Sequence, residues 1–345
     1  MKGRILFLYN AVPEEKRQGH YGECMTLTDV AKIGQALIQG GHRVLHLNLR
    51  SPAQLEDLIR AQGPFTISFC IAEGFLALPS TLFDGSGTPW VRRILEKMGV
   101  PTTHSSVTGM EICRHKDETY QVLAANNIRV PAHFIIRPDA GSIDQQLMAI
   151  EEMMHFPLFV KPCAGGNSIG ITEKSIVSNP RELQLQVYSL LQDLGELPLS
   201  VETYLSGQEY TIGIVGNEEK TVFPILAFPR NERVRSFMVK KTSSAKRHEQ
   251  EIITAEDPRY WRLYKLAIDT FTAVGAQDIL RIDVREDSNG TPMVIDVNGT
   301  PTLTEKASLP YMASHAGFSF TELIKHILDT ALERVYGRET SEITG

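Results

Sequence analysis

The alternation of apolar and polar positions in the first hundred residues predicts a sequence of strands and helices. Apolar runs at residues 4–9, 43–47 and 65–71 are typical of buried strands, and residues 28–39 and 52–61 carry apolar side chains at helical spacing. A strand, helix, strand order of this kind requires a parallel sheet covered by helices. We therefore expect an α/β unit at the N-terminus.

After a change of composition near residues 101–106, helices and strands mix less regularly. Helices are predicted at residues 116–126, 144–155, 181–194, 258–274 and 318–336, and strands at residues 132–136, 158–161, 210–215 and 221–227, with a short strand around Glu202. The expected fold class is α/β with α+β character. The predicted domains are residues 1–105, 106–206 and 207–345.

The segment 279–304 has the most informative pattern of the chain. Two runs of β-forming residues flank Asn289-Gly290, a dipeptide that favours a tight hairpin turn. With a two-residue loop, Asp283 faces Asp296 and Arg281 faces Asn298, so these four polar side chains share one face of the hairpin. The other face, predicted to be core, carries Ile282, Val284, Ile295 and Val297.

The polar face of this hairpin has two interpretations. Most alternating strands simply place charged side chains in water. Two aspartates and an asparagine beside one arginine, however, form a set of hard oxygen ligands that suits Mg²⁺ bound together with phosphates. The leading hypothesis is a metal site with the ligands Asp283, Asp296 and Asn298.

Composition narrows the class of protein. The chain has 345 residues, of which 42% are hydrophobic and 22% charged, and a net charge of −6 argues against a general nucleic-acid-binding surface. We expect no membrane span and a cytoplasmic protein, because the N-terminus turns polar by Asn10. Four widely spaced cysteines favour free thiols over disulfides or zinc.

A glycine-rich loop follows the strand that ends at Lys161. In residues 162–171, PCAGGNSIGI, the glycines allow backbone amides to approach a ligand, and Ser168 adds a hydroxyl. The loop lacks the P-loop signature, so a flexible connection explains it equally well. Lys161 is placed to pair with a polyphosphate, although a lysine at a strand end is usually a solvent-facing charge.

Further candidates lie in loops. Glu202 and Glu209 bracket a turn that could bind a purine amino group and ribose hydroxyls. Glu23 and Glu73 lie in the predicted polar loops 11–23 and 72–89, at the carboxyl ends of strands, where open sheets bind ligands. Each of these carboxylates could instead be merely solvated. The polar segment 229–254 is long enough for an active-site lid, and its cations would make the lid basic: Lys240, Lys241, Lys246 and Arg247.

Taken in order, these motifs resemble those of the ATP-grasp ligases, most closely the D-alanine:D-alanine ligase group. The resemblance covers nearly the whole chain and rests on four segments: HKDETYQVLAANNIRVP, FVKPCAGGNSIGI, VETYLSGQEYTI and LRIDV followed by VIDVNGTPTLT. Four matches in the same order are stronger than any one of them. The resemblance implies an ATP-grasp fold behind the N-terminal parallel-sheet domain.

The resemblance also implies roles for individual residues. Lys116 and Lys161 would contact ATP phosphates together with Ser168, Glu202 the adenine, and Glu209 the ribose. Asp283, Asp296 and Asn298 would hold two Mg²⁺ ions, or Mn²⁺ in their place. Arg281 would stabilise the transferred phosphoryl group, Glu23 would recognise a substrate amino group, and Ser168 and Lys241 would act near the substrates. The family also implies small-molecule amino-acid or carboxylate substrates and a homodimer.

The departures from the family pattern lie around the amino acids rather than around ATP. Asn167-Ser168 replaces two serines, Lys241-Thr242 replaces a Lys-Tyr pair, and residues 70–74 replace a His-Gly segment. Thr302 stands in place of a glycine, and the following serine falls at Ala307 or Ser308. We therefore expect an amide-forming ligase, D-alanine:D-alanine ligase-like but with altered substrates.

Three alternatives stay open at this point: a true D-alanine:D-alanine ligase, a nucleotide-binding homologue without turnover, and a Rossmann-type dehydrogenase. The intact lysine and metal-ligand positions argue against the second. The third would require a glycine fingerprint that the sequence lacks.

Overall fold

A computed structural model describes residues 2–165, 169–230, 234 and 249–337. The N-terminal part is built around a parallel three-stranded sheet in the order β2-β1-β3. Its elements are β1 (Arg4–Tyr9), α1 (Leu27–Gln39), β2 (Arg43–Asn48), α2 (Pro52–Gln62), β3 (Ile67–Cys70) and α3 (Gly87–Lys97). The α/β unit predicted from the apolar pattern is confirmed.

Two antiparallel sheets follow. The first has the order β4-β7-β5-β6 and the second the order β11-β10-β8-β12-β13, with β9 also paired to β8. The first contains β4 (His133–Ile136), β5 (Leu158–Pro162), β6 (Ile176–Val177) and β7 (Leu199–Thr203), with α6 (Ile143–Met153) and α7 (Pro180–Leu194) beside it. The second contains β8 (Glu209–Gly216), β9 (Lys220–Val222), β10 (Ile225–Ala227), β11 (Glu251–Ile253), β12 (Ile279–Glu286) and β13 (Pro292–Asn298).

Five more helices complete the described chain: α4 (Val107–Arg114), α5 (Lys116–Ala125), α8 (Tyr260–Ala273), α9 (Ser308–His315) and α10 (Phe320–Tyr336). Ser319 begins α10 with a capping box, in which its hydroxyl accepts from the Glu322 amide and the Glu322 carboxylate accepts from the Ser319 amide. No described helix is long and apolar enough to cross a membrane.

The largest hydrophobic core joins the two ends of the chain. Phe7 and Ile33 of the N-terminal unit share one buried cluster with Ile324 and Ile327 of α10. A second core fills the space under the C-terminal sheet and includes Leu123 of α5. The helices that precede the central sheet therefore pack on the C-terminal sheet. The three-domain division stays a prediction.

Two predicted elements differ from the structure in detail. The single strand expected at residues 221–227 is divided into β9 and β10 by a break at Phe223 and Pro224, because proline cannot donate to a strand ladder. The polar loop expected to run to Pro89 ends earlier, since α3 begins at Gly87. Helix α4 and helix α9 were not predicted.

The hairpin β12–β13 confirms the predicted pairing of Asp283 with Asp296 and of Arg281 with Asn298, by a different route. The prediction of a two-residue loop was wrong: residues 287–291 connect the strands, and the Asp287 carboxylate accepts hydrogen bonds from the amides of Asn289 and Thr291, both at 2.8 Å. A connection of odd length shifts the register by one residue. A β-bulge at Ile295 restores it before Asp296 is reached.

The bulge also corrects the predicted core face. Val294 is fully buried and takes the place expected for Ile295, whose side chain is only partly buried and lines the cleft described below. Ile282, Val284 and Val297 are buried as predicted. The extra residue in β13 therefore keeps both aspartates on one face and turns the Ile295 backbone toward the neighbouring sheet.

Candidate active site

One cleft lined by both antiparallel sheets contains most of the residues singled out from the sequence. Strands β5 and β7 form one wall, and β8, β12 and β13 form the other. Eight predicted site residues line it together: Lys116, Lys161, Glu202, Glu209, Arg281, Asp283, Asp296 and Asn298. The pairing of β12 with β8 and β13 brings together the residues of one wall, and the pairing of β5 with β7 places Lys161 beside Glu202 in the other.

Asp283 is fixed by two neighbours on its own sheet face. Arg281, two positions earlier on the same strand, donates from Nε to Oδ1 at 3.1 Å and from Nη2 to Oδ2 at 2.9 Å. The Thr211 hydroxyl of β8 donates to Oδ1 at 2.8 Å. Burial acts to lower the pKa of Arg281, but Asp283 and Asp296 outweigh it and raise the pKa. The guanidinium therefore stays charged.

Asp296 lies between two cations. Its Oδ1 is 2.9 Å from Lys116 Nζ, and its Oδ2 is 3.9 Å from Arg281 Nη2. Burial raises the pKa of the Asp296 carboxyl, but the charges of Lys116, Arg281 and Lys161 outweigh burial and hold the pKa at about 2. Asp296 is therefore ionised at neutral pH, which is the state that a metal ligand requires.

Lys161 and Glu202 form a buried ion pair at 2.9 Å on adjacent strands β5 and β7. The hydroxyl of Tyr120, on α5, lies 3.0 Å from Glu202 Oε1, 3.0 Å from the Ile295 carbonyl and 3.1 Å from Lys161 Nζ. Lys161 also donates to the Ile295 carbonyl at 2.9 Å. The Ile295 carbonyl, which the β-bulge exposes, thus connects the β12–β13 hairpin, with its candidate metal ligands, to Lys161 of the other wall.

Glu209 begins β8 and faces the same cleft. Its Oε2 is 3.2 Å from Nη1 of Arg285, and both side chains are buried. Arg285 lies over the ring of Tyr204 at 5.6 Å, next to the turn that follows Glu202. The two glutamates that bracket this turn are therefore held at the same end of the cleft.

Glu23 does not line the cleft with these eight residues. Its carboxylate is close enough to Arg281 and to Arg114 to contribute to the raised pKa of both guanidinium groups, whose burial acts in the opposite direction. Glu73, the other loop carboxylate, is paired with Arg114 at 2.9 Å between Oε2 and Nη1. The N-terminal loops therefore approach the metal-candidate hairpin from one side.

Some predicted residues cannot be placed. Ser168 of the glycine-rich loop and Lys241 of the lid lie outside the described residues, as do Lys240, Lys246 and Arg247. No cluster of three or more histidine, cysteine, aspartate or glutamate side chains suited to a metal occurs in the described ranges. The metal-candidate set consists of two carboxylates and one amide, and so falls outside such a cluster.

Sequence reasoning missed several residues that shape the cleft. Tyr120 sits in an ordinary helical pattern, and Thr211 alternates in a strand, so neither gives a sequence signal. The role of the Ile295 backbone depends on the bulge, which an Asn-Gly dipeptide does not reveal. For Arg114 the sequence offers one hint, because this arginine directly precedes the motif that begins at His115. Its partner Glu73 was already a candidate.

Comparison with known proteins agrees with this geometry. Residues 122–329, more than half of the chain, match the family model described as D-ala D-ala ligase C-terminus. A D-alanine–D-alanine ligase of Pelotomaculum thermopropionicum is 27% identical over 249 residues, which cover 70% of this chain and 76% of that protein.

Two solved structures share the fold. The D-alanine–D-alanine ligase of Bacillus anthracis complexed with ATP has a TM-score of 0.72 at 22% identity and covers 98% of this chain and 99% of its own. The VanG D-Ala:D-Ser ligase of Enterococcus faecalis has a TM-score of 0.71 at 16% identity, with 96% and 100% covered. These likenesses confirm the ATP-grasp fold and the predicted resemblance. The chain belongs to the D-Ala D-Ala ligase family and is an ATP-grasp, ADP-forming ligase.

Proposed function

We propose that this protein joins a carboxylate to an amine with ATP, through an acyl phosphate, and releases ADP, phosphate and an amide or peptide bond. The observation that carries the proposal is the cleft in which two lysines, two glutamates, two arginines and the Asp283, Asp296 and Asn298 oxygens converge. Each group matches one part of an ATP-dependent acylation. The names of the relatives, which are ligases of D-alanine with D-alanine or D-serine, support the same reaction class.

The chemistry explains why so many charges are needed. A carboxylate is a poor electrophile at neutral pH, and phosphoryl transfer converts it into an acyl phosphate with a good leaving group. ATP and the carboxylate repel each other, so cations must hold them in line, and most of the catalysis is positioning and electrostatic stabilisation. We assign the positive charge that holds them to three cations of the cleft: Lys116, Lys161 and Arg281. The fourth, Arg285, is paired with Glu209.

The nucleotide would lie along the wall formed by β5 and β7. Lys161 is buried and already pairs with Glu202, so it offers a fixed positive charge to the phosphates rather than a mobile one. Glu202 and Glu209 lie at the two ends of one turn, where we place the adenine and the ribose, and Arg285 orients Glu209. Lys116 faces the same phosphates from the start of α5.

The oxygen donors of the hairpin fit Mg²⁺. Asp283 and Asp296 face each other across β12 and β13, and Asn298 is two positions beyond Asp296 on the same face. The pKa of about 2 at Asp296, held down by nearby cations against the effect of burial, supplies an ionised oxygen. Mg²⁺, or Mn²⁺, bound there would neutralise phosphate charge and align the transferred group.

Arg281 is the residue best placed for the reacting group. It is held by Asp283 and lies 3.9 Å from Asp296, so its charge is fixed beside the metal ligands, where negative charge develops during transfer. We further propose that Glu23 binds the substrate amino group. Ser168 and Lys241 are proposed to complete the substrate side, and the protein is proposed to act as a homodimer.

The substrates are proposed to differ from D-alanine. The departures at Asn167, Thr242, Thr302 and residues 70–74 all affect positions on the amino-acid side of the family pattern. In the structure, residue 73 of that segment is a glutamate paired with a buried arginine. A true D-alanine–D-alanine ligase is the second candidate, favoured by the names of the relatives.

The test is ADP release with ATP, Mg²⁺ and pools of amino acids or carboxylates, followed by mass identification of the product. We expect ADP release that depends on a particular pool and a product whose mass equals the two substrates minus one water. D-alanine alone as the productive substrate would select the second candidate. No ADP release with any pool, from a protein that is folded by circular dichroism, would contradict the proposed reaction.

A further inference from the structure

A buried arginine that the proposed reaction does not use lies beside the cleft. Arg114 ends helix α4, and its side chain is 5% exposed. Nη1 is 2.9 Å from Oε2 of Glu73, whose side chain is 9% exposed and which follows the last strand of the N-terminal sheet. Helix α4 and the loop after β3 are thus joined by one enclosed ion pair.

The remaining donors of Arg114 have no acceptor in the described part of the chain. Nε and Nη2 are both buried and make no hydrogen bond there. These two nitrogens form one edge of the planar guanidinium group, and their N–H groups point in parallel, as a single carboxylate requires for a bidentate contact. Glu73 occupies the other end of the group and fixes its orientation.

The surroundings of Arg114 place this edge on the substrate side of the site. Burial acts to lower the pKa of Arg114, but Glu73, Glu23 and Asp296 outweigh it and raise the pKa. Helix α4, which ends at Arg114, packs against β13, the strand that carries Asp296. The Glu73 amide donates to Asn10, which begins the loop that carries Glu23. It does not line the wall assigned to the nucleotide.

We propose that the Nε and Nη2 edge of Arg114 binds a second carboxylate of the acyl donor, so that the preferred acyl donor is an amino acid with an acidic side chain. This inference rests on the proposed function. Glu23 receives the ammonium group, the carboxylate to be activated lies near Arg281, and the other carboxylate pairs with Arg114. Glu73 acts as a positioning residue, since its carboxylate pairs with the arginine rather than with the substrate.

The arrangement also predicts that neutral substrates are rejected. A site with buried donors discriminates strongly against an analogue that leaves them unpaired, whereas an apolar pocket discriminates weakly. Glutamine and glutamate, or asparagine and aspartate, differ in little except the charge that Arg114 would pair with. They are therefore the matched substrates for a test.

The first experiment measures ADP release by the wild-type protein with each D- and L-isomer of these four amino acids and of alanine, with a mixed amine pool. We expect kcat/KM for an acidic acyl donor to exceed that for its amide by roughly 30-fold or more. Equal rates for acid and amide, or turnover with alanine alone, would overturn the Arg114 inference and leave the ligase reaction intact. No ADP release with any of them or with the broader pools would instead count against the proposed function.

The second experiment uses variants. Arg114→Lys keeps a charge beside Glu73 but loses the bidentate edge, and Arg114→Gln combined with Glu73→Gln removes both charges without leaving one unpaired. We expect both to lose the preference for acid over amide, with the KM for ATP unchanged. The control is Arg60→Gln, an exposed arginine of α2. An acid preference retained in both folded variants would overturn the inference.

Discussion

Replacing Tyr120 by phenylalanine tests the link between the two walls of the cleft. The hydroxyl is fully enclosed and lies within 3.1 Å of Glu202, Lys161 and the Ile295 carbonyl. Glu202 keeps Ser200 at 2.8 Å and Lys161 at 2.9 Å, and the Ile295 carbonyl keeps Lys161, so the variant leaves no buried charge without a partner. The change therefore removes contacts without removing an ion pair.

The size of the effect follows from those contacts. A hydroxyl has one proton, so Tyr120 donates one hydrogen bond and accepts one from Lys161. Because the remaining partners compensate in part, we expect the loss of these two bonds to charged groups to cost about 2 kcal/mol of free energy. If that energy positions Lys161 and the hairpin, ATP binding weakens by roughly 10-fold to 30-fold. We expect this change in the KM for ATP and in the Mg²⁺ concentration for half-maximal activity, with a smaller change in kcat.

The assay is ADP release over a range of ATP and Mg²⁺ concentrations. The matched control is Tyr188→Phe, which removes an exposed hydroxyl that donates to Asp144 at 2.8 Å; neither residue lines the cleft. A Tyr120→Phe variant with reduced stability but wild-type KM values for ATP and Mg²⁺ would refute the coupling of the two walls.

Three further predictions concern the charged groups of the cleft. Asp296→Ala and Asn298→Ala should each abolish Mg²⁺-dependent turnover with the fold retained, as judged by circular dichroism, and normal Mg²⁺ activation in both would remove the metal assignment. Lys161→Ala should raise the KM for ATP and destabilise the protein by about 3–5 kcal/mol, because Glu202 is left buried without its cation; a Lys161→Gln and Glu202→Gln double variant should recover much of the stability but not the KM. The pKa of Asp296 is held at about 2 in the folded protein, below the value of about 3.9 expected for an aspartate in the unfolded chain. Its ionised form therefore stabilises the folded protein at pH values above about 3.9, and this contribution is lost as the pH falls toward 2. Lys116→Gln should move that loss to higher pH in urea denaturation, and unchanged pH dependence would argue against the pairing.

The elements that the sequence predicted well are those with strong periodicity. Strand β1 matches residues 4–9, and the helix predicted at 181–194 differs from α7 by one residue at its start. The fold class could be predicted because the local sequence pattern agrees with the tertiary arrangement along most of the chain. Helix α4 was not predicted because its eight residues are too few to show a helical period.

The hairpin shows where sequence reasoning stops. Its polar face was predicted from alternation together with a two-residue turn, and Asp283 does face Asp296. The reason given, a two-residue turn at Asn289-Gly290, was incorrect, and two deviations cancel: an odd connection and a bulge at Ile295. Bulges depend on the twist of the sheet and on partners such as Lys161 and Tyr120, which the strand sequence does not specify.

Tertiary partners account for the remaining omissions. The pairing of Arg114 with Glu73 joins residues forty-one positions apart, and no local pattern indicates that an arginine at a helix end will be buried. Eight of the candidate residues identified by resemblance line one cleft, yet several groups that contact them come from other elements.

The central claim is that the cleft activates a carboxylate as an acyl phosphate, and oxygen transfer tests it most directly. With the carboxylate of the acyl donor labelled with ¹⁸O and with unlabelled ATP, the account predicts that one labelled oxygen appears in the released phosphate for each amide bond formed. Product formed with fully unlabelled phosphate would contradict the acyl-phosphate route, whichever amino acids the protein uses.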